Sequence, residues 1–147
     1  MSDVGHHAQT KALQVIDDCM EAYKVCRQTA AYSINEGGAL ADPHRIQVLY
    51  DAAEINLAMA DFLSRASPFH NALGKLCIEI TQACAEAISK DEHDDDQLRI
   101  TYAACERSVR ACKELTGAGE DAHMDERDVA LEDTFPASDP TPPPTEL

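Results

Sequence analysis

Apolar and small residues recur along the first 116 positions at alternating steps of three and four, the spacing that keeps side chains on one face of an α-helix. Ile16, Cys19, Tyr23, Cys26 and Ala30 form the first such stripe. Val48, Ala52, Ile55/Asn56, Met59 and Phe62/Leu63 form the second. Leu73, Cys77, Ile80/Thr81, Cys84 and Ile88 form the third, and Leu98, Tyr102, Cys105, Val109 and Cys112 the fourth. Between the stripes stand stop signals. Gly37-Gly38 ends a first helix that starts near residue 8, since paired glycines allow left-handed turns. Asp42-Pro43 reads as an N-cap followed by proline at the first helical position, and Ser67-Pro68 repeats that device. The acidic run Asp91-Glu92-His93-Asp94-Asp95-Asp96 suits the positive end of a fourth helix dipole. Thr116-Gly117-Ala118-Gly119 closes that helix. Four segments of about twenty residues or more with short connections predict an all-α fold: an antiparallel up-down-up-down four-helix bundle over residues 1–116, with every stripe facing inward.

Residues 117–147 differ in character. They carry nine acids against one base, Arg127, and end in a proline-rich run. A short helix around 124–131 is expected, then extended or unstructured chain from Thr134 to Pro144. Such a tail reads first as a solubilising acidic segment, and second as a docking peptide anchored by Phe135.

The charge of the whole chain narrows its partners. Acids outnumber bases by 27 to 12, for a formal net charge of -15. Nucleic acid and anionic membranes are disfavoured, because phosphate contacts need clustered Lys and Arg. The start, Met1-Ser-Asp-Val-Gly-His-His, has no apolar stretch behind a basic beginning, and no segment approaches membrane-spanning length. A cytosolic address with reduced thiols is the expectation.

The chemistry lies in the cysteines. Cys19/Cys26, Cys77/Cys84 and Cys105/Cys112 all share a spacing of seven residues, and these six are all the cysteines of the chain. Seven residues is two helical turns, so each pair stacks along one helix face and its members stand too far apart to bridge each other. Thiols facing one another inside a bundle form a soft, water-poor donor set, which selects Cu(I), zinc or iron–sulfur clusters over hard cations. Structural zinc and iron–sulfur sites favour closer cysteine spacings than any found here. Monovalent copper is therefore the expected ion. His70, seven residues before Cys77, and Met59, at the equivalent position of the one helix without cysteine, are candidate auxiliary ligands. The acidic run at 91–96 lacks the glycine and the twelfth-position glutamate of a calcium loop. No cysteine has a His/Asp partner set for nucleophilic catalysis, so an enzyme is not expected.

These segments resemble the cysteine-rich four-helix-bundle copper-binding proteins, the group that includes bacterial copper storage proteins. The resemblance runs through Leu49-Tyr-Asp-Ala-Ala-Glu-Ile-Asn56 and Ala60-Asp-Phe-Leu-Ser-Arg-Ala-Ser-Pro68 to His70. It continues through Cys77-Ile-Glu-Ile-Thr-Gln-Ala-Cys84 and Cys105-Glu-Arg-Ser-Val-Arg-Ala-Cys112. It implies a core that holds Cu(I) on cysteines, with His or Met near one end. This chain departs from the family's denser repeat of cysteine, three residues, cysteine, two residues, cysteine. Tyr23, Thr81 and Val109 stand four residues after the first cysteine of each pair, Ala30, Ile88 and Thr116 four after the second, and Ala52 and Asn56 occupy helix 2. Without i, i+4 thiol pairs, any copper must be bridged between helices.

Two readings follow. The first is low-capacity Cu(I) buffering or sequestration by Cys19, Cys26, Cys77, Cys84, Cys105 and Cys112. The second is a metal-free helical scaffold or homo-oligomer, its cysteines core packing, that binds a protein partner through its tail or outer faces. A thiol redox sensor is a third, and needs an exposed cysteine of low pKa.

Overall fold

The computed structural model describes residues 2–117, with side chains from Gln9 onward. The acidic segment beyond, with its expected short helix and proline-rich run, lies outside the described residues. Helix α1 spans Ser2–Glu36, α2 Pro43–Ser64, α3 His70–Ser89 and α4 Asp96–Thr116. Short 3-10 turns, Gly38–Ala41 and Glu92–Asp94, occupy the first and third connections. There is no strand among the described residues, and no described helix is long and apolar enough to cross a membrane.

The helix ends follow local chemistry. Gly37 and Gly38 take φ of 73° and 63°, a region where a Cβ would be strained. The Asp42 carboxylate accepts the Arg45 amide at 3.1 Å and Pro43 opens α2. The Asp95 carboxylate accepts the Leu98 amide at 3.0 Å at the start of α4. Two boundaries differ from expectation. Helix α1 runs back to Ser2 instead of starting near residue 8. Helix α3 begins at His70, not after Ser67, because Ser67 serves a turn first. Its hydroxyl accepts the Phe69 amide at 3.1 Å and its carbonyl accepts the His70 amide at 3.1 Å.

Helix α1 packs on α2 and α4, and α3 packs on the same two. Buried alanines (Ala22, Ala30, Ala52, Ala53, Ala60, Ala85, Ala104 and Ala111) let these helices approach closely. The inward line on α1 is Val15, Cys19, Ala22, Cys26, Thr29 and Ser33. Tyr23 and Tyr102 are only partly buried and lean against the core from its rim. A phenol satisfies its hydroxyl more readily there than at the centre. Ile16, Ile55 and Leu73, which also belong to the predicted stripes, are likewise half-buried.

Candidate metal centre

The heptad repeat on three helices converges in space. Cys19, Cys77 and Cys112 form one group, with all three sulfurs within 4.8 Å of one another, and Cys26, Cys84 and Cys105 form a second. Each group takes one thiol from α1, one from α3 and one from α4. Cys19 Sγ lies 3.9 Å from Cys112 Sγ, and Cys26 Sγ lies 3.9 Å from Cys105 Sγ. A step of seven along α1 is thus matched by seven back along α4 and seven forward along α3. Equal spacing on all three helices is what superimposes the cysteines into two layers. All six are free thiols and show no solvent exposure.

A polar layer lies beside the first triad, where Asn56 of α2 meets Thr81 and Ser108, each of which falls between the two cysteine positions of its own helix. The Asn56 side chain donates to the Ala52 carbonyl at 2.8 Å and to Thr81 Oγ1 at 3.0 Å. Its Oδ1 accepts from the Ser108 hydroxyl at 2.6 Å and from Cys77 Sγ at 3.5 Å. Thr81 Oγ1 is 3.7 Å from Cys77 Sγ, and Ser108 Oγ is 3.8 Å from Cys19 Sγ. Beyond the second triad, Thr29 and Thr101 share a hydrogen bond of 2.6 Å, and Gln97 donates to Thr29 at 2.9 Å. Asn56 and Thr81 were legible in the sequence as positions on the inward stripes and as places where a cysteine is missing. The signal for Ser108 is its position, between Cys105 and Cys112 as Thr81 is between Cys77 and Cys84.

Met59 is fully buried on α2, with its Cε and Sδ against Gly74, one turn before Cys77. His70 belongs to neither group of potential ligands. Its Nδ1 lies 2.8 Å from the Ser67 carbonyl. An atom so placed carries the proton, which leaves Nε2 as the ring's free lone pair.

Within each triad the sulfurs share protons unequally. Donation from Cys112, then Cys19, holds Cys77 down at about 4 against the opposing effect of burial. Cys105 and Cys26 hold Cys84 down at about 5 in the same way. The donors move upward in return. Cys112 is raised by Cys19, Cys77 and burial, and Cys105 by Cys26, Cys84 and burial. The bond with Cys112 pulls Cys19 down, but Cys77 and burial outweigh it and carry Cys19 to about 12.

Such a set is soft and preassembled. The middle of a sulfur triangle of these dimensions is roughly 2.3–2.8 Å from each corner, close to the metal–thiolate length of about 2.3 Å. Three sulfurs leave a tetrahedral zinc ion one ligand short.

The family model for copper storage protein matches residues 8–117. Solved structures with the same fold include a cytosolic copper storage protein from Streptomyces lividans, in a copper-loading structure with five coppers. It is 21% identical, with a TM-score of 0.71, over 76% of this chain and 97% of that one. A Nitrosospira multiformis protein is 21% identical, with a TM-score of 0.68, over 75% and 98%. A histidine-to-alanine variant of the Streptomyces lividans protein is 22% identical, with a TM-score of 0.69, over 74% and 94%. No curated protein matches the chain. Since the family model spans the helical region from α1 to the end of α4, the chain belongs to the copper storage protein family.

Proposed function

We propose that the chain is a cytosolic, low-capacity Cu(I) buffer, an antiparallel up-down-up-down bundle that takes ions on its core-facing cysteines and holds them without turnover. The observation that carries this reading is the meeting of six buried thiols in two groups of three. Cysteines buried merely as small hydrophobes have no reason to meet in matched triads drawn from the same three helices. Family membership supports copper as the cargo, as do the coppers loaded into the Streptomyces lividans protein of the same fold. Low capacity follows from the ligand count, one site per triad and about two ions per chain. Met59 and His70, on the α3 N-terminal side of the first triad, are auxiliary to these sites.

Reduced, metal-free protein is titrated anaerobically with Cu(I) against a competing chelator, following the ultraviolet thiolate-to-copper band. Stoichiometric uptake, abolished when all six cysteines are replaced by serine, is the expected result. Uptake no greater than the chelator allows would make the triads core packing and overturn the reading.

A further inference from the structure

The two triads have the same ligands and unlike surroundings. The Cys26/Cys84/Cys105 group sits in a hydrocarbon cluster of Ala30, Leu49, Ala52, Ala53 and Ala85. Among the described residues its only side-chain hydrogen-bond partners are its own thiols. The Cys19/Cys77/Cys112 group instead faces Asn56, Thr81 and Ser108.

The direction of those bonds matters. Asn56 Nδ2 donates to Thr81 Oγ1, so the threonine hydroxyl receives a proton on one side and is free to give its own. Cys77 Sγ, 3.7 Å away, lies within its reach. Ser108 stands between Asn56 Oδ1 and Cys19 Sγ, and can turn its hydroxyl to either. The amide is itself anchored on the Ala52 carbonyl. One residue of α2, the helix without a thiol, thus leaves the Thr81 hydroxyl on α3 free to donate to Cys77 and holds Ser108 of α4 beside Cys19.

A univalent ion that displaces two or three thiol protons leaves its site with net negative charge. Buried negative charge is costly unless donors meet it. The first triad has the Thr81 hydroxyl in place as a donor and Ser108 within reach of Cys19, and the second has hydrocarbon. We propose that Asn56, Thr81 and Ser108 are positioning residues that make Cys19/Cys77/Cys112 the first of the two triads to take an ion. The inference rests on Cu(I) being the cargo and adds an order of loading to it.

The test uses the full chain labelled with carbon-13 at cysteine Cβ and titrated anaerobically with Cu(I) below one ion per chain. Resonances of Cys19, Cys77 and Cys112 are expected to move first, with those of Cys26, Cys84 and Cys105 still in place. Thr81→Val, which keeps the shape and removes the hydroxyl, should abolish that order, whereas Thr81→Ser should retain it. In a chain reduced to the first triad by Cys26→Ala, Cys84→Ala and Cys105→Ala, Thr81→Val should weaken Cu(I) retention against a chelator about tenfold, the worth of one hydrogen bond to a charged group. Both sets moving together, the second moving first, or an order that survives Thr81→Val would overturn the inference and leave copper binding intact. No movement in either set and no retention against the chelator would overturn both. If Thr81→Val does not fold, the order in the unsubstituted chain decides the question by itself.

Discussion

Cys19 and Cys112 lie 3.9 Å apart, sulfur to sulfur, across ninety-three residues of sequence. Cys26 and Cys105 repeat that separation, two turns or about 10.5 Å further along α1. That distance keeps the two triads from sharing one small ion. Replacing Cys19 and Cys112 by alanine leaves Cys77 as a lone thiol and the second triad intact. The expected result is a plateau of the thiolate-to-copper band at about half the original Cu(I) equivalents. A plateau unchanged, or lost altogether, would show that the triads are not independent sites.

The fold was legible because the segment ends are written in residues whose backbone or capping preference is strong. Gly37-Gly38, Asp42-Pro43 and Asp95 all act as their types require. Ser67-Pro68 misled by two residues, since the Ser67 hydroxyl was engaged by the Phe69 amide in a turn before the helix. The cysteine positions were legible too, because a heptad places both members of a pair on one face. The partition into triads was not, because spacing along one helix carries no information on the register between helices. For the same reason Asn56 read as a gap where a ligand was missing, and its bonds to α3 and α4 could not be foreseen.

Gly74 on α3 lets side chains of α2 and α4 pack close against its backbone. A Cβ there would lie 2.7 Å from Thr116 Cγ2 and 3.2 Å from Met59 Cε. Met59 can flex, but Thr116, β-branched and at the end of α4, has less room to move. Gly74→Ala is expected to destabilise the bundle by about 1–3 kcal/mol through overpacking, outweighing its gain in helix propensity. Urea unfolding measures it, and adding Thr116→Ser, which deletes the clashing methyl, should recover part of the loss. No recovery would place the strain elsewhere.

Arg45 is a buried cation at the start of α2, its side chain 6% exposed, while its partner Asp91 is 41% exposed. They meet at 2.6 Å, Arg45 also donates to the Ala87 carbonyl at 3.4 Å, and its Nη1 is buried without a partner. Removing only the acid leaves a buried guanidinium short of acceptors. Asp91→Ala should therefore cost about 1–3 kcal/mol, and Arg45→Met, which removes the buried charge as well, should cost less. Chemical denaturation of both variants checks the order. The reverse order would mean that the guanidinium is well solvated without Asp91.

Tyr32 and Asp95 tie the end of α1 to the start of α4, the phenol donating to the carboxylate at 2.6 Å. The Tyr32 hydroxyl is the main reason Asp95 falls below its ordinary 3.8, with the Leu98 and Gln97 amides and Arg99 adding to it against burial. The same bond pushes Tyr32 from 10.0 up to about 12. For the carboxylate, depressed in the folded state, the contribution to stability is present above 3.8 and is lost as pH falls through its lower folded value. For the phenol, raised in the folded state, it is present below 10.0 and is lost as pH rises through about 12. Tyr32→Phe removes the phenol's limb and the phenol's share of the carboxylate's, while leaving the bond between Asp95 and the Leu98 amide in place. The urea midpoint of the unsubstituted protein should therefore exceed that of Tyr32→Phe across the neutral range, with the gap closing toward both extremes. Because the thiols titrate identically in the two proteins, their contribution cancels in this difference. A gap that stays constant with pH would show that the hydroxyl of Tyr32 does not hold the Asp95 carboxylate in solution.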